Sequence, residues 1–171
     1  MKRDDEAFLA LAAGLRNAHA MEKQALSVLK PQAARIDDYP DMQARIARHI
    51  AETEGQIERL DAAFALVGEK RSGLRDMVLS LGGAMAALGH IAADDEVLKD
   101  VFANYAFEHY EIAAYKSLIQ ISDRLGLANV ALLLRQNLDE EERMAQWLDE
   151  HVGLVTEQYL ALREAEPSGR L

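Results

Sequence analysis

In Phe107-Glu108-His109-Tyr110-Glu111-Ile112-Ala113-Ala114-Tyr115, a carboxylate interrupts a row that is otherwise apolar or aromatic. Val101, Tyr105, Glu108, Ile112, Tyr115 and Ile119 recur at steps of three and four, the spacing of one helix face. Glu111 lies one turn further on, at the edge of that face. Glu22 is the one charge in a stripe of Phe8, Leu11, Leu15, Ala18, Leu26 and Leu29. His49 and Glu52 are three apart, so their side chains can meet above a helix, and Gln56 continues their line. Glu141 interrupts Ala131, Leu134, Leu138, Ala145, Leu148 and Val152. A carboxylate aimed into a core costs several kcal/mol unless it is paired, protonated or bound to a cation. Carboxylates joined by imidazole are the ligand chemistry of divalent iron and manganese, and zinc fits it as well.

The elements that must position these groups are all helical. One helix is expected over 4–30, with Asp4 and Asp5 at its start and Pro31 just past its end. A second runs over 41–67, opened by Pro40 or Asp41 and stopped by Gly68. The polar stretch 68–75 leads to a short helix over 75–90, weakened by Gly82-Gly83. Longer helices follow over 94–124, ending at Gly126, and over 127–165, where Gly153 is a candidate kink. Residues 1–165 read as one helical domain and 166–171 as a frayed tail. Glu140 and Glu142 are expected to face water, and His19 to be a satisfied, partly exposed histidine.

Four long amphipathic helices with one long crossover make an all-α, ferritin-like four-helix bundle. Counted from the helix ends at about 1.5 Å per residue, Glu22 comes level with His49 and Glu52, and Glu108 and Glu111 with Glu141. The simplest packing merges the two levels into one layer of Glu22, His49, Glu52, Glu108, Glu111 and Glu141. Five carboxylates and one imidazole cannot all be buried bare. Two divalent metal ions per chain would neutralise most of the charge, iron being favoured by availability and chemistry, with manganese and zinc as alternatives. On this reading Glu22 alone could equally sit at its stripe's edge and reach solvent.

The bulk properties are compatible with that reading. The chain has 171 residues and a net charge of −10, which argues against nucleic acid or an anionic membrane as partner. It has no cysteine, which removes disulfides, thiolate metal sites and cysteine nucleophiles. No apolar run approaches the roughly 20 residues that span a bilayer, and the N-terminus lacks a signal-peptide pattern, so a cytoplasmic location is expected. Glycine-rich phosphate loops and Ser/His/Asp arrangements are absent.

Four motifs in order, Glu22-Lys23-Gln24, His49-Ile50-Ala51-Glu52-Thr53, Glu108-His109-Tyr110-Glu111-Ile112-Ala113-Ala114-Tyr115 and Leu138-Asp139-Glu140-Glu141, resemble the bacterial YciF/YciE-type ferritin-like family. The resemblance covers roughly residues 7–150. It implies a rubrerythrin-related bundle, a homodimer and an association with stress responses, but no defined reaction. Glu22, His49, Glu52, Glu108, Glu111 and Glu141 fall on family positions, as do His109 and Tyr115. His109 is one step off the Glu108 face and is expected to serve helix packing or the site's surroundings. Two positions depart from the family: an acidic residue is usual near Leu81-Gly82-Gly83, and an aspartate near Ala145.

Two functional classes follow. One is a dimetal protein reacting with dioxygen or peroxide, with Tyr105, Tyr110 and Tyr115 as nearby electron donors or else as ordinary core aromatics. The other is a non-enzymatic stress or structural dimer with a stabilising or vestigial metal site. Iron storage ranks below both, because a dimer of short bundles lacks an enclosed shell.

Overall fold

A computed structural model describes residues 2–68 and 96–165. Its helices are α1 (Lys2–Ala33), α2 (Pro40–Val67), α3 (Glu96–Arg124) and α4 (Ala128–Ala165). The expected short helix over 75–90, the Gly82-Gly83 pair and the 166–171 tail lie outside the described residues.

The helix ends follow local chemistry. Pro40 opens α2, where its missing N–H removes a donor that has no helical partner anyway. Gly68 closes α2 at φ 71°, and Gly126 ends the α3–α4 turn at φ 70°, backbone that a side chain strains. Pro31 does not end α1, which continues to Ala33. The proline sits on the exposed face, as does Ser27, so the Ser27 carbonyl left without a helical donor can bond to water. Gly153, the candidate kink, lies on the exposed side of α4, which runs through it unbroken.

Each helix touches two others. α1 packs on α2 and α3, and α4 packs on α3 and α2, which makes a square with α1/α4 and α2/α3 on the diagonals. The turn after α1 (Ile36, Tyr39) meets the start of α3 (Val97) and the far part of α4 (Tyr159) at one end of the bundle. The end of α2 (Val67) meets the α3–α4 turn (Leu125, Leu127) at the other. The chain between α2 and α3 therefore connects diagonal helices at opposite ends. Two antiparallel hairpins joined this way form a four-helix bundle of the expected topology.

The core comes in two apolar clusters. One gathers Leu11, Leu15, Leu60, Phe64, Leu118 and Leu134; the other gathers Leu29, Met42, Ile46, Val101, Met144 and Leu148. Along every helix, most of the buried polar groups fall between the residues given to one cluster and those given to the other: Glu22 on α1, His49, Thr53 and Gln56 on α2, Asn104, Glu108 and Glu111 on α3, Asn137 and Glu141 on α4; His19, Gln32 and Ser122 are buried outside that layer. The inner faces differ from the expected stripes by single steps. Asn104 is buried where Tyr105 was expected, and Asn137 where Leu138 was expected. Among the described residues, no helix is long and apolar enough to cross a membrane.

The glycines give a direct check. Gly153→Ala meets nothing within 4 Å, and is expected to raise stability by about 0.5–1 kcal/mol. Gly126→Ala, forced to φ 70°, is expected to lower it by about 1 kcal/mol. Urea unfolding of the two variants reads both signs, and a destabilised Gly153→Ala would mean that α4 is interrupted there.

Candidate metal centre

All four helices send polar side chains into the layer between the two apolar clusters. Burial there is nearly complete: Glu22 and Glu141 are 0 % exposed, His49 and Glu111 1 %, and Glu108 2 %. His49 stands at the centre. Its Nε2 lies 3.2 Å from Glu108 Oε1 and 3.7 Å from Glu141 Oε2. One ligand atom from each of His49, Glu108 and Glu141 falls within 4.8 Å of the others, so this buried group could hold a metal ion. On its other side, His49 Nδ1 is 3.3 Å from Glu52 Oε2. A carboxylate on one ring nitrogen fixes the ring's orientation and leaves the other nitrogen to face the site.

Glu111 lies near Glu141 and feels the charges of Glu22 and Glu108. Neighbouring buried carboxylates repel unless a proton or a cation lies between them. The remaining contacts hold the carboxylates by one oxygen each. Gln56 Nε2 donates to Glu141 Oε1, and the Tyr115 hydroxyl donates to Glu22 Oε1. Glu22 Oε2, Glu108 Oε2, Glu141 Oε2 and both oxygens of Glu111 are buried with no hydrogen-bond partner. Buried polar atoms are normally satisfied, and several orphaned oxygens at one level suit a cation or a proton among them.

Glu52 is placed differently. It is 12 % exposed, and its oxygens accept from Arg45 Nη1 at 3.0 Å and Arg48 Nε at 3.1 Å, besides facing His49. Of the six expected site residues it is the one at the outer edge of the layer. His109 is exposed, its ring edge-on to Tyr105 of its own helix at 4.7 Å, so it does not reach the layer. Ala145, one turn past Glu141, is buried and contributes no polar atom.

Several residues here escaped the sequence reading. Asn137 Nδ2 donates to the Tyr115 hydroxyl at 2.9 Å, and Arg59 donates from Nε to Asn137 Oδ1 and from Nη2 to Glu140. This chain runs from buried Glu22 to the half-buried Arg59–Glu140 pair, so Glu140 does not simply face water. Glu142 does, beside Lys116 at 2.8 Å. The only cue in the sequence was an uncharged polar residue, Asn137, one step before an apolar position. His19 is also more buried than expected, at 1 % exposure, with Nε2 3.4 Å from Asp61 Oδ1 and its ring edge-on to Phe64. Of the three tyrosines, Tyr110 is exposed and Tyr105 donates to Asp149 at the surface; only Tyr115 reaches the layer.

The sequence profile of a family described as a domain of unknown function, DUF892, matches residues 6–161. The chain belongs to the DUF892 family. It is 30 % identical to protein YciF of Escherichia coli (strain K12) over 153 residues, 83 % of this chain and 86 % of YciF. A crystal structure of a Xanthomonas campestris pv. campestris protein matches with a TM-score of 0.78 at 29 % identity, covering 93 % of this chain and 99 % of that one. The crystal structure of the E. coli stress protein YciF matches with a TM-score of 0.66 at 25 % identity, covering 89 % and 96 %. The resemblance carried by the four sequence motifs is thus met by family, relative and fold together.

Electrostatics in this DUF892 chain favour protons on the layer when no cation is present. Burial, only partly offset by the Tyr115 hydrogen bond, pushes Glu22 up from 4.5 to about 8. Burial, with neighbouring carboxylates adding to it, also raises Glu111 and Glu141 well above the usual carboxylate range. Burial acts to lower His49, but the charge of Glu108 and hydrogen bonds to Glu108 and Glu52 outweigh it and raise His49 from 6.5 to about 9. Burial acts to raise Glu52, but His49 and Arg45 outweigh it and bring Glu52 down to about 2.

The consequence for stability has a definite sign. Glu22 and His49 hold extra protons in the folded state, so their contribution is full below their unfolded values and is lost as pH rises through about 8 and about 9. Glu52 has the opposite slope, but only as pH falls from 4.5 toward about 2. Thermal denaturation of the metal-free protein is therefore expected to show Tm falling as pH rises from about 6 to about 9. A Tm that is flat or rises over that range would contradict this charge balance.

Proposed function

We propose that this chain is a ferritin-like dimetal carboxylate protein of the stress response, holding two divalent ions, iron in the first place, and reacting with dioxygen or peroxide. The observation that carries the reading is the buried His49/Glu108/Glu141 group, surrounded by partnerless oxygens of Glu22 and Glu111. The donor set fits: carboxylate and imidazole, drawn from all four helices of a bundle, with no thiolate. Glu22, His49, Glu108, Glu111 and Glu141 would hold the ions, and Glu52 would join them by turning from its arginines. Two bound iron ions would supply the electrons that reduce an oxygen species.

The chain's own residues prepare that chemistry. While it stays on its arginines, Glu52 orients the His49 ring. Tyr115 and Gln56 fix one oxygen of Glu22 and of Glu141 and leave the other available. The apolar clusters on both sides keep bulk water out. Tyr115, bonded to Glu22, is the tyrosine placed to exchange an electron or a proton with the site. The name of YciF as a stress protein supports the stress-response setting, and the family resemblance supports a homodimer.

A second reading, a non-enzymatic dimer in which metal is only a staple, is favoured by one observation. Both Glu52 oxygens are already engaged by Arg45 and Arg48, and the group whose ligand atoms lie within reach of one ion is His49, Glu108 and Glu141 alone among the described residues, which suits a single ion.

Metal analysis after growth with iron and manganese, combined with peroxide consumption, separates the two. The dimetal reading expects about two iron ions per chain, Fe(II)-dependent peroxide consumption, and loss of both in Glu108→Ala and Glu22→Ala. Metal that raises Tm without any oxidant consumption would favour the staple. Folded protein that takes up no metal would overturn both.

A further inference from the structure

Above Glu52, α2 and α4 leave an open cavity of about 360 Å³, within the size range of small-ligand sites. Arg45, Arg48 and Arg143 line it, together with Trp147 and Glu52. Three guanidinium groups on one small surface are unexpected in a chain of net charge −10. They are also underused. Arg45 spends Nη1 on Glu52 and Arg48 spends Nε, and a guanidinium has five N–H donors. Arg143 is exposed and makes no ion pair among the described residues.

The two carboxylates in the cavity are outnumbered by its three guanidinium groups. Glu52 accepts from both arginines and faces His49. Glu150 accepts from Gln146 at 2.8 Å. A cation entering here would meet three positive groups and two engaged carboxylates. An oxyanion would meet free, forked donors whose geometry suits two-oxygen recognition. Trp147, half-buried and stacked on His151 at 4.0 Å between ring centres, supplies a flat apolar wall.

We propose that this cavity is a binding site for a small oxyanion of the phosphate or dicarboxylate class, held by Arg45, Arg48 and Arg143 against Trp147. Its ligand would lie one carboxylate, Glu52, away from His49 and the buried layer. The site needs no metal, so it stands or falls apart from the dimetal reading.

Trp147 is the single tryptophan of the chain and reports directly on the cavity. Metal-free protein is titrated with inorganic phosphate and, separately, with succinate, at constant ionic strength set with chloride. Fluorescence and calorimetry are read together, so that binding without an indole response is still seen. The expected result is saturable binding of at least one probe, weakened about tenfold or more in Arg48→Gln and in Arg143→Gln. Both arginines are exposed, so the variants keep the fold. The probe that binds more tightly names the source of the oxyanion. No saturable signal from either probe, or binding by both variants as strong as by the unsubstituted chain, would overturn the proposal.

Discussion

The buried carboxylates at one level of the bundle set the terms for everything around them. An ionised carboxylate taken out of water costs several kcal/mol even after relaxation, against a total stability for such a domain of about 5–15 kcal/mol. Glu22, Glu108, Glu111 and Glu141 cannot all be charged there without compensation. His49 offers one positive charge, and Gln56 and Tyr115 offer one hydrogen bond each to Glu141 and Glu22. The rest must come from protons or from cations. The two apolar clusters carry the packing on either side, which is what makes a costly layer tolerable and keeps it dry.

That compensation is graded from the centre outward. Glu111 and Glu141, wholly enclosed, depend on each other and on what lies between them. Glu22 is tied through Tyr115 and Asn137 to the Arg59–Glu140 pair nearer the surface. Glu52, nearest to solvent, is satisfied by arginines and stays ionised. It is thus shared between the inner layer, through His49, and the cavity outside.

Much of this was legible in the sequence because a charge that breaks an apolar period is conspicuous. Glu22, Glu108 and Glu141 stood out in that way, and His49 with Glu52 by their spacing. The helix stops at Gly68 and Gly126 were legible because few residues other than glycine take that backbone. Less visible were Asn104 and Asn137, uncharged and one step off the expected stripe. A helix of 3.6 residues per turn leaves such neighbours nearly equivalent at a face's edge. Arg59 with Asn137, 78 residues apart, and Arg45 with Glu52 depend on tertiary placement or on a seven-residue reach that no short motif encodes. Pro31 misled for a related reason: whether a proline ends a helix depends on whether the freed carbonyl meets water, and that is a property of the fold.

Anomalous diffraction from crystals soaked in Mn(II) would test the central claim, that the layer exists to hold cations, most directly. The account predicts two peaks about 3.5–4 Å apart, one of them bonded to His49 Nε2, Glu108 and Glu141, with Glu22 and Glu111 reaching the pair. Peaks confined to the protein surface, with the five buried side chains unchanged, would contradict it and leave the carboxylates as a protonated core.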